Sequence, residues 1–147
     1  MTEGPLSSTL RSMVGVWHDV LTARDQQGRV VTEDPYGGTP GPFPYENLVY
    51  CDFDGTHWTQ TNVTFKGRPV KWRSFRATVV DEILYFNKLG PDAPTHIGVG
   101  SGPGQIWFLP QAVDEAWQRY SEPDYIQVEG DTRRRSTALY RDGLFVR

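Results

Sequence analysis

Turn signals divide the chain into short segments, and the spacing of these turns limits the possible folds more than any other feature of the sequence. Asp-Gly pairs stand at 54–55 and 142–143, and stretches rich in glycine and proline occupy 34–44, 66–69 and 90–94. Between them lie runs in which apolar and polar side chains alternate, which is the period of a β-strand. Asp-Gly between two such runs is a strong hairpin signal. Strands do not alternate with long helices, so the pattern predicts an antiparallel all-β domain.

The predicted elements follow one another through short connections. A short helix over about residues 8 to 13, capped by Ser7 or Ser8, comes first. Strands are then predicted over 15–24, 45–53, 57–65, 70–80, 83–87, 96–99, 105–109, 117–120, 124–129, 133–141 and 144–147, with one helical turn over 111–117. Closing such a sheet on itself removes its two edges. We therefore predict an up-and-down closed β-barrel that is wide enough to hold one small ligand.

The length and charge of the chain limit the classes of protein to which it can belong. The 147 residues fit one domain over 1–147, large enough to bury its own core. The formal charge of −3 argues against a nucleic-acid partner. We expect a cytoplasmic protein without a membrane segment, because the first residues lack the pattern of a leader and no run approaches about 18 apolar residues. The basic run 133–135 is interpreted as the solvated start of a strand, since its side chains must alternate between two faces.

Two glycine-rich stretches need separate explanations. Residues 34 to 44 are too rich in proline and glycine to pair in a sheet, and long loops of this kind are usually lids or binding loops. We favour an ordered flap over one barrel mouth, held by Tyr36 and Phe43, with a surface insertion as the alternative. Residues 98 to 104 suggest a phosphate loop, but no Gly-Lys-Ser/Thr follows and the chain continues into a strand-like run. A hairpin connection is the better interpretation.

The stretch from residue 15 to residue 28 carries a family resemblance. Gly15-Val16-Trp17 opens the first predicted strand directly after the short helix, and Thr22-Ala23-Arg24-Asp25-Gln26-Gln27-Gly28 follows. Together with the long loop and the antiparallel strands, this order resembles the calycin superfamily, and within it the bacterial lipocalin-like family allied to the bilin lyases. The resemblance implies a barrel that binds a hydrophobic or conjugated molecule. It also implies that Trp17 plugs the closed end, against Arg135 or Arg141. Asp19 departs from the family pattern, in which a small residue is common.

The candidate binding residues are aromatic and polar side chains on the predicted strands. The chain has 5 Trp, 7 Tyr and 7 Phe, and the polar atoms of buried Trp and Tyr need partners, which a plain core avoids. The ligand-binding candidates are Trp58, Asn62, Trp72, Trp107, Tyr120, Tyr125 and Tyr140. For any one of them, a place in the core is the alternative. No metal or cofactor is predicted, because the three histidines are far apart in sequence and Cys51 is a single cysteine.

Asp19 is the first candidate for a catalytic residue, and Arg76 and Tyr85 are the other two. The two-residue period places Asp19 on the same, interior face as Trp17. A carboxylate in an apolar cavity holds its proton more tightly than one in water, so Asp19 could act as a general acid or base. Arg76 or Tyr85 could polarise a carbonyl group of the substrate. The competing interpretation is structural: Asp19 pairs with an arginine such as Arg76 or Arg135.

Three functions remain open. The first is a cofactor-independent cyclase, isomerase or lyase that folds a hydrophobic or conjugated metabolite into a reactive shape. The second is a non-catalytic binder or carrier of a pigment, lipid or similar molecule. The third is a protein-interaction barrel with a filled core. A homodimer is also open, because the chain has many aromatic side chains.

Overall fold

The computed structural model describes residues 3–34, 41–86, 96–111 and 119–147. One helix, α1 (Pro5–Ser12), precedes the strands. The strands are β1 (Gly15–Leu21), β2 (Glu33–Asp34), β3 (Gly41–Pro42), β4 (Tyr45–Phe53), β5 (His57–Lys66), β6 (Lys71–Val80), β7 (Ile83–Phe86), β8 (His96–Gly102), β9 (Gln105–Pro110), β10 (Tyr120–Ser121), β11 (Asp124–Glu129), β12 (Thr132–Thr137), β13 (Tyr140–Arg141) and β14 (Leu144–Phe145).

Nine of the described strands form one antiparallel sheet that is nearly closed into a barrel, as predicted. The order in the sheet is β1-β4-β5-β6-β7-β8-β9-β11-β12. Each connection within β4 to β9 joins neighbouring strands, so the sheet is an up-and-down meander. The Asp-Gly pairs turn the chain between β4 and β5 and between β13 and β14, which confirms both hairpins. The glycine stretch at 98–104 is also a hairpin, between β8 and β9.

The N-terminal helix begins earlier than predicted. Its N-cap is Gly4 and Pro5 occupies the first turn, where a proline is tolerated because that N–H has no partner in the helix. Ser7 therefore lies inside the helix, and its hydroxyl donates to the carboxylate of Glu82 instead of capping. Glu82 also accepts the N–H groups of Leu6 (3.0 Å) and Ser7 (3.1 Å). This carboxylate from the β6–β7 turn fixes the positive end of the helix dipole to the barrel.

The helix covers one end of the barrel and completes an apolar core. Its side chains Leu6 and Leu10 and the following Met13 are at most 1% exposed. They pack on inward-facing strand residues, which we call the lower core: Val49, Cys51, Phe53, Trp58, Ala77, Leu84, Ile106, Phe108 and Ile126. Burying side chains of this size contributes about 1.5–3 kcal/mol each. The end of the barrel that carries α1 is therefore filled by apolar side chains.

A buried ion pair joins the two edge strands of the large sheet. Among the described residues no ladder of backbone hydrogen bonds pairs β1 with β12. Arg133 of β12 instead donates through Nη2 to the carboxylate of Asp19 on β1. The side chains of Arg133 and Asp19 are 1% and 16% exposed. The charged pair thus bridges the seam that backbone pairing leaves open.

The opposite end carries the small sheets and the C-terminal segment. Strands β2 and β3 pair at the two ends of the proline- and glycine-rich loop, so the prediction that this whole stretch avoids pairing was wrong at its ends. Phe43 is buried there, whereas Tyr36 lies outside the described residues. Strands β10, β13 and β14 form a three-stranded sheet. Arg147 links that C-terminal segment to the loop by an ion pair with the buried Asp34, at 2.8 Å.

Candidate functional site

The interior of the barrel divides into two parts along its axis. Strand pairing places Trp17 opposite Val49 and Trp58 opposite Ala77, so the odd residues of β1, β4 and β6 and the even residues of β5 face inward. Beyond the lower core, these inward faces become polar. We call this second part the polar interior: Asp19, Asn47, Gln60, Asn62, Thr64, Arg73, Phe75, Asp124, Arg133 and Arg135.

The Asp19–Arg133 pair lies where the polar interior meets the lower core. Trp17, two residues before Asp19 on the same face, packs against the lower core and donates its indole N–H to the carbonyl of Met13, at 2.8 Å. The Arg133 guanidinium lies 5.9 Å from the centre of the Trp17 ring, within cation–π range. Burial, with the nearby Asp19 charge, raises the pKa of the Cys51 thiol to about 11, although Arg133 opposes the shift. The polar interior therefore ends at the Asp19–Arg133 ion pair, which lies against Trp17 and the apolar side chains of the lower core.

A second group of charges continues along the same wall. Arg135, two residues after Arg133, donates to Asp124 at 2.8 Å. Glu122 stands between two arginines, 3.9 Å from Nη2 of Arg135 and 3.9 Å from Nη2 of Arg147. Burial is the main cause that raises the pKa of Glu122, and the neighbouring Asp124 adds to it. Glu122 is therefore a carboxyl group that keeps its proton to a higher pH than an ordinary glutamate.

Several polar atoms on this wall are buried without a partner among the described residues. They are Nε and Nη1 of Arg133, Nε of Arg135 and Oδ1 of Asp124. Most buried polar atoms in proteins form hydrogen bonds, and one left unpaired costs about 1–3 kcal/mol, more where it is charged. These donors and this acceptor lie on neighbouring residues of β11 and β12.

The facing wall offers neutral hydrogen-bonding groups. Gln60 donates its amide N–H to Asn62 (2.9 Å), and the Thr64 hydroxyl donates to the side-chain oxygen of Asn47 (2.8 Å). Gln60, Asn62 and Thr64 are half-buried, and Phe75, on the neighbouring strand, is 36% exposed. Solvent thus reaches inward-facing side chains here, in contrast to the lower core.

Aromatic rings and an arginine line the upper rim. Arg68, in the β5–β6 turn, lies 3.8 Å from the ring centre of Tyr45 and 4.7 Å from that of Phe43. It also donates through Nε to the carbonyl of Pro42, at 2.8 Å. Burial raises the pKa of Tyr45. At Gly67 the backbone is left-handed (φ +85°) and a Cβ atom would lie 2.5 Å from the carbonyl oxygen of Pro44, so only glycine fits this turn.

Searches with protein-family models and against curated proteins find no match to this chain. The geometry of the site therefore carries the functional argument.

Three predicted site residues face inward. Asp19 is interior, as the two-residue period indicates, and it is paired with an arginine, but that arginine is Arg133 rather than Arg76 or Arg135. Asn62 lies in the polar interior. Trp58 is 1% exposed within the lower core, and its indole nitrogen has no partner among the described residues.

Five predicted site residues lie on the outer face of the barrel. They are Trp72, Arg76, Tyr85, Trp107 and Tyr125. Trp72 is 72% exposed, and Trp107 packs on Tyr125 with ring centres 4.3 Å apart. The register that places Trp58 opposite Ala77 turns the odd residues of β6 inward, so Arg73 and Phe75, not Trp72 and Arg76, face the polar interior. The structure does not bring Arg76 or Tyr85 to the face that holds Asp19.

The last two candidates belong to the small C-terminal sheet. Tyr120 is buried, with the Arg141 guanidinium 5.1 Å from its ring centre. Tyr140 packs against Phe145 with ring centres 5.7 Å apart. Arg141 and Arg135, the arginines expected beside Trp17, are engaged with Tyr120 and Asp124 respectively, and Arg133 takes that place.

The group of charges formed by Asp124, Arg133 and Arg135 with Glu122 beside them, which we call the charged wall, was not predicted from the sequence. The basic run 133–135 was interpreted as solvated, but its alternate members Arg133 and Arg135 point inward and only Arg134 is exposed. Acidic residues on the paired strand and just before it, Asp124 and Glu122, were an available signal, because buried arginines need such partners.

Within the described ranges no group of three or more His, Cys, Asp or Glu is placed to hold a metal ion. No helix in those ranges has the length and apolar character needed to cross a bilayer.

Proposed function

We propose that the polar interior binds a small organic molecule with a hydrophobic or conjugated body. The observation that carries this proposal is the contrast inside one barrel. Apolar side chains fill the lower core, while the polar interior holds half-buried polar side chains and, on β11 and β12, buried polar atoms without a partner among the described residues. A protein-interaction barrel needs only a filled core. Ligand sites combine apolar and aromatic walls with a few placed polar groups, and Phe75, Tyr45 and Phe43 supply the aromatic part.

The proposed ligand class agrees with the calycin resemblance, which itself remains a proposal. The features that favour it are the half-buried Trp17 at the closed end and the arginine within cation–π range of its ring. The closed end of the barrel is filled by side chains of helix α1 rather than by a second sheet. A cytoplasmic location and a homodimer likewise remain predictions; size-exclusion chromatography with light scattering measures the second directly.

Filling the polar interior is the most direct test of binding. The probe is parinaric acid, a conjugated fatty acid whose fluorescence rises in an apolar site. Asn62→Phe places a large ring in the polar interior, whereas Thr61→Phe places the same ring on the outer face of the same strand. We expect saturable binding to the unmodified protein and to Thr61→Phe, and at least about a tenfold weaker affinity for Asn62→Phe. Equal affinities for the two variants would contradict the proposal.

A cofactor-independent cyclase, isomerase or lyase is the second candidate function. The observation that favours it is Glu122, whose pKa is raised by burial and which stands between Arg135 and Arg147. A buried carboxyl group with a raised pKa is better suited to general acid–base work than an ordinary glutamate, and the arginines could stabilise a developing negative charge. Asp19 is bound to Arg133, so in this candidate function it would act through that arginine.

Turnover separates the two candidates. Native mass spectrometry would identify a co-purified molecule, which is then incubated with the protein and its conversion followed. An enzyme predicts that Glu122→Gln or Asp19→Asn leaves affinity nearly intact and abolishes conversion. A carrier predicts that the bound molecule is released unchanged from all three proteins, and that only shape changes such as Asn62→Phe alter the amount bound.

A further inference from the structure

The turn between β5 and β6 is strongly basic. Residues 65–73 read FKGRPVKWR, and we call them the hairpin tip. It holds four cationic side chains and no acidic one, so four of the 15 lysine and arginine residues fall within nine positions. The chain as a whole carries a formal charge of −3. The hairpin tip is therefore a basic element on an acidic protein.

Large apolar side chains protrude from the same hairpin tip. Val70 is 76% exposed and Trp72 is 72% exposed, and no large apolar side chain in the described ranges is more exposed than Val70. Phe65, on β5, is 41% exposed. Strand register places Val20, which is 61% exposed, on the outer face at the same end of the sheet. Exposed apolar patches rimmed by charged residues mark protein or membrane interaction sites.

The cations around these side chains are available to a partner. Lys71 and Arg73 are exposed, and neither forms an ion pair within the described ranges. Lys66 is 71% exposed, and its Nζ lies 3.0 Å from one oxygen of Glu46. The other oxygen of Glu46 lies 2.7 Å from Nε2 of His18. This carboxylate is thus already shared between two basic groups and leaves the hairpin tip positively charged.

From these observations we propose that the hairpin tip docks the protein on a membrane surface that contains anionic lipids. Val70 and Trp72 would enter the boundary between headgroups and acyl chains, where tryptophan is enriched. Lys66, Lys71 and Arg73 would lie at the level of the headgroups, to which each cation is attracted. The protein would lie on the bilayer without spanning it. The inference concerns the outer surface of the hairpin and does not rest on the proposed function.

The composition of the hairpin tip favours a bilayer over two other partners. A nucleic acid would use the cations and one ring, and it would leave Val70 and Phe65 in water. A second copy of the chain would bring two sets of cations together, and like charges across an interface oppose binding. An anionic bilayer removes the apolar side chains from water and balances the charges as well.

Co-sedimentation with vesicles tests the docking. The probes are vesicles of phosphatidylcholine alone and of phosphatidylcholine with about 30% phosphatidylserine. We expect at least about tenfold stronger partition to the anionic vesicles. Most of this difference should disappear at about 1 M salt, which screens the attraction. Failure of the unmodified protein to bind the anionic vesicles would overturn the inference.

Two substitutions separate the apolar and charged contributions. Trp72→Ala should weaken partition to the anionic vesicles at least about tenfold, and Lys71→Gln about fivefold. The matched controls are Trp107→Ala and Arg134→Gln, which remove an exposed ring and an exposed charge elsewhere on the outer face and should leave partition unchanged. Circular dichroism on each variant establishes that it is folded. Equal partition of Trp72→Ala and the unmodified protein would overturn the assignment to the hairpin tip.

Brominated lipids test whether Trp72 itself reaches the acyl chains, because bromine quenches tryptophan fluorescence on contact. We expect quenching in the unmodified protein and its loss in Trp72→Phe, which keeps an apolar ring. Quenching that is the same in both proteins would contradict the docking geometry. Light scattering and titration with a single-stranded oligonucleotide cover the other partners. A dimer or an oligonucleotide complex that depends on Trp72, without binding to vesicles, would overturn the membrane in favour of that partner.

Discussion

The two halves of the barrel interior are built by the same strands but by different chemistry. In the lower half, Val49, Trp58 and Leu84 are at most 1% exposed and pack beneath a helix that closes the end. In the upper half, the same alternating faces present Asn62, Arg135 and Phe75, which are partly accessible. The lower half supplies most of the hydrophobic stabilisation, whereas in the upper half Arg133, Arg135 and Asp124 keep buried charged-group atoms without a partner among the described residues. Under the proposed function, stability and recognition are thus separated along the barrel axis.

A pair of tryptophans gives the largest expected difference between these regions. Trp58→Ala opens a cavity in the lower core and should reduce the free energy of unfolding by about 3–5 kcal/mol. Trp72→Ala, at a site that is 72% exposed, should change it by about 0.5 kcal/mol or less. Urea unfolding followed by circular dichroism measures both. Comparable losses would show that the lower core is not the main source of stability.

The upper half should depend on its buried ion pairs. Asp34→Ala leaves Arg147, which is 15% exposed, without its closer acidic partner, although Glu122 remains 3.9 Å away, and should lower the free energy of unfolding by about 1.5–3 kcal/mol. The matched control is Glu3→Ala, which removes the exposed partner of Arg11 and should lower it clearly less, because exposed ion pairs contribute little to stability. Loss of the same amount in both variants, measured in the same urea titrations, would mean that the C-terminal segment is not held by the buried pair.

Glu122 makes a prediction about pH. Its pKa in the folded protein is raised, so the folded state binds the proton more tightly than the unfolded state. Glu122 therefore favours folding most at a pH below its unfolded pKa, and this contribution is lost as pH rises through the folded pKa. The stability of Glu122→Gln relative to the unmodified protein should increase from pH 4 towards pH 7. A difference that stays constant or shrinks over this range would contradict the burial of this carboxyl group.

The smallest expected effect concerns Cys51, whose thiol should react very slowly in the folded protein. Its side chain is 6% exposed, and burial raises its pKa to about 11, so little thiolate exists near neutral pH. A thiol reagent such as 5,5′-dithiobis(2-nitrobenzoic acid) at pH 8 should label the folded protein at least about a hundredfold more slowly than the urea-unfolded chain. Rapid labelling of the folded protein would place Cys51 outside a closed lower core.

The sequence predicted the strands better than the faces they turn inward. Strand β4 has the bounds that were predicted, because turn residues mark both of its ends. The two-residue period shows which side chains share a face, but it does not say which face is interior. On β6 the exposed Trp72 and the inward Phe75 are both aromatic, so only the register with β5 decides between them. The choice of Trp72 and Arg76 as cavity residues therefore fell on the outer face.

Which residues meet in the charged wall could not be predicted from the local pattern. Strand β12 meets β1 across the seam, 114 residues away along the chain. Which arginine meets Asp19 depends on the stagger of all nine strands of the sheet, and a shift of two residues would exchange Arg133 for Arg135. The alternation of the basic run was predictable, whereas its burial follows only from closure.

Nuclear magnetic resonance of the side-chain N–H groups tests the central claim most directly, that the polar interior is the binding region. Titration with parinaric acid should shift the amide signals of Gln60 and Asn62 and the Nε signal of Arg133. The indole signals of Trp72 and Trp107, on the outer face, should stay in place. Shifts confined to Trp72 and Trp107, with Gln60, Asn62 and Arg133 unchanged, would place binding outside the barrel and contradict the account.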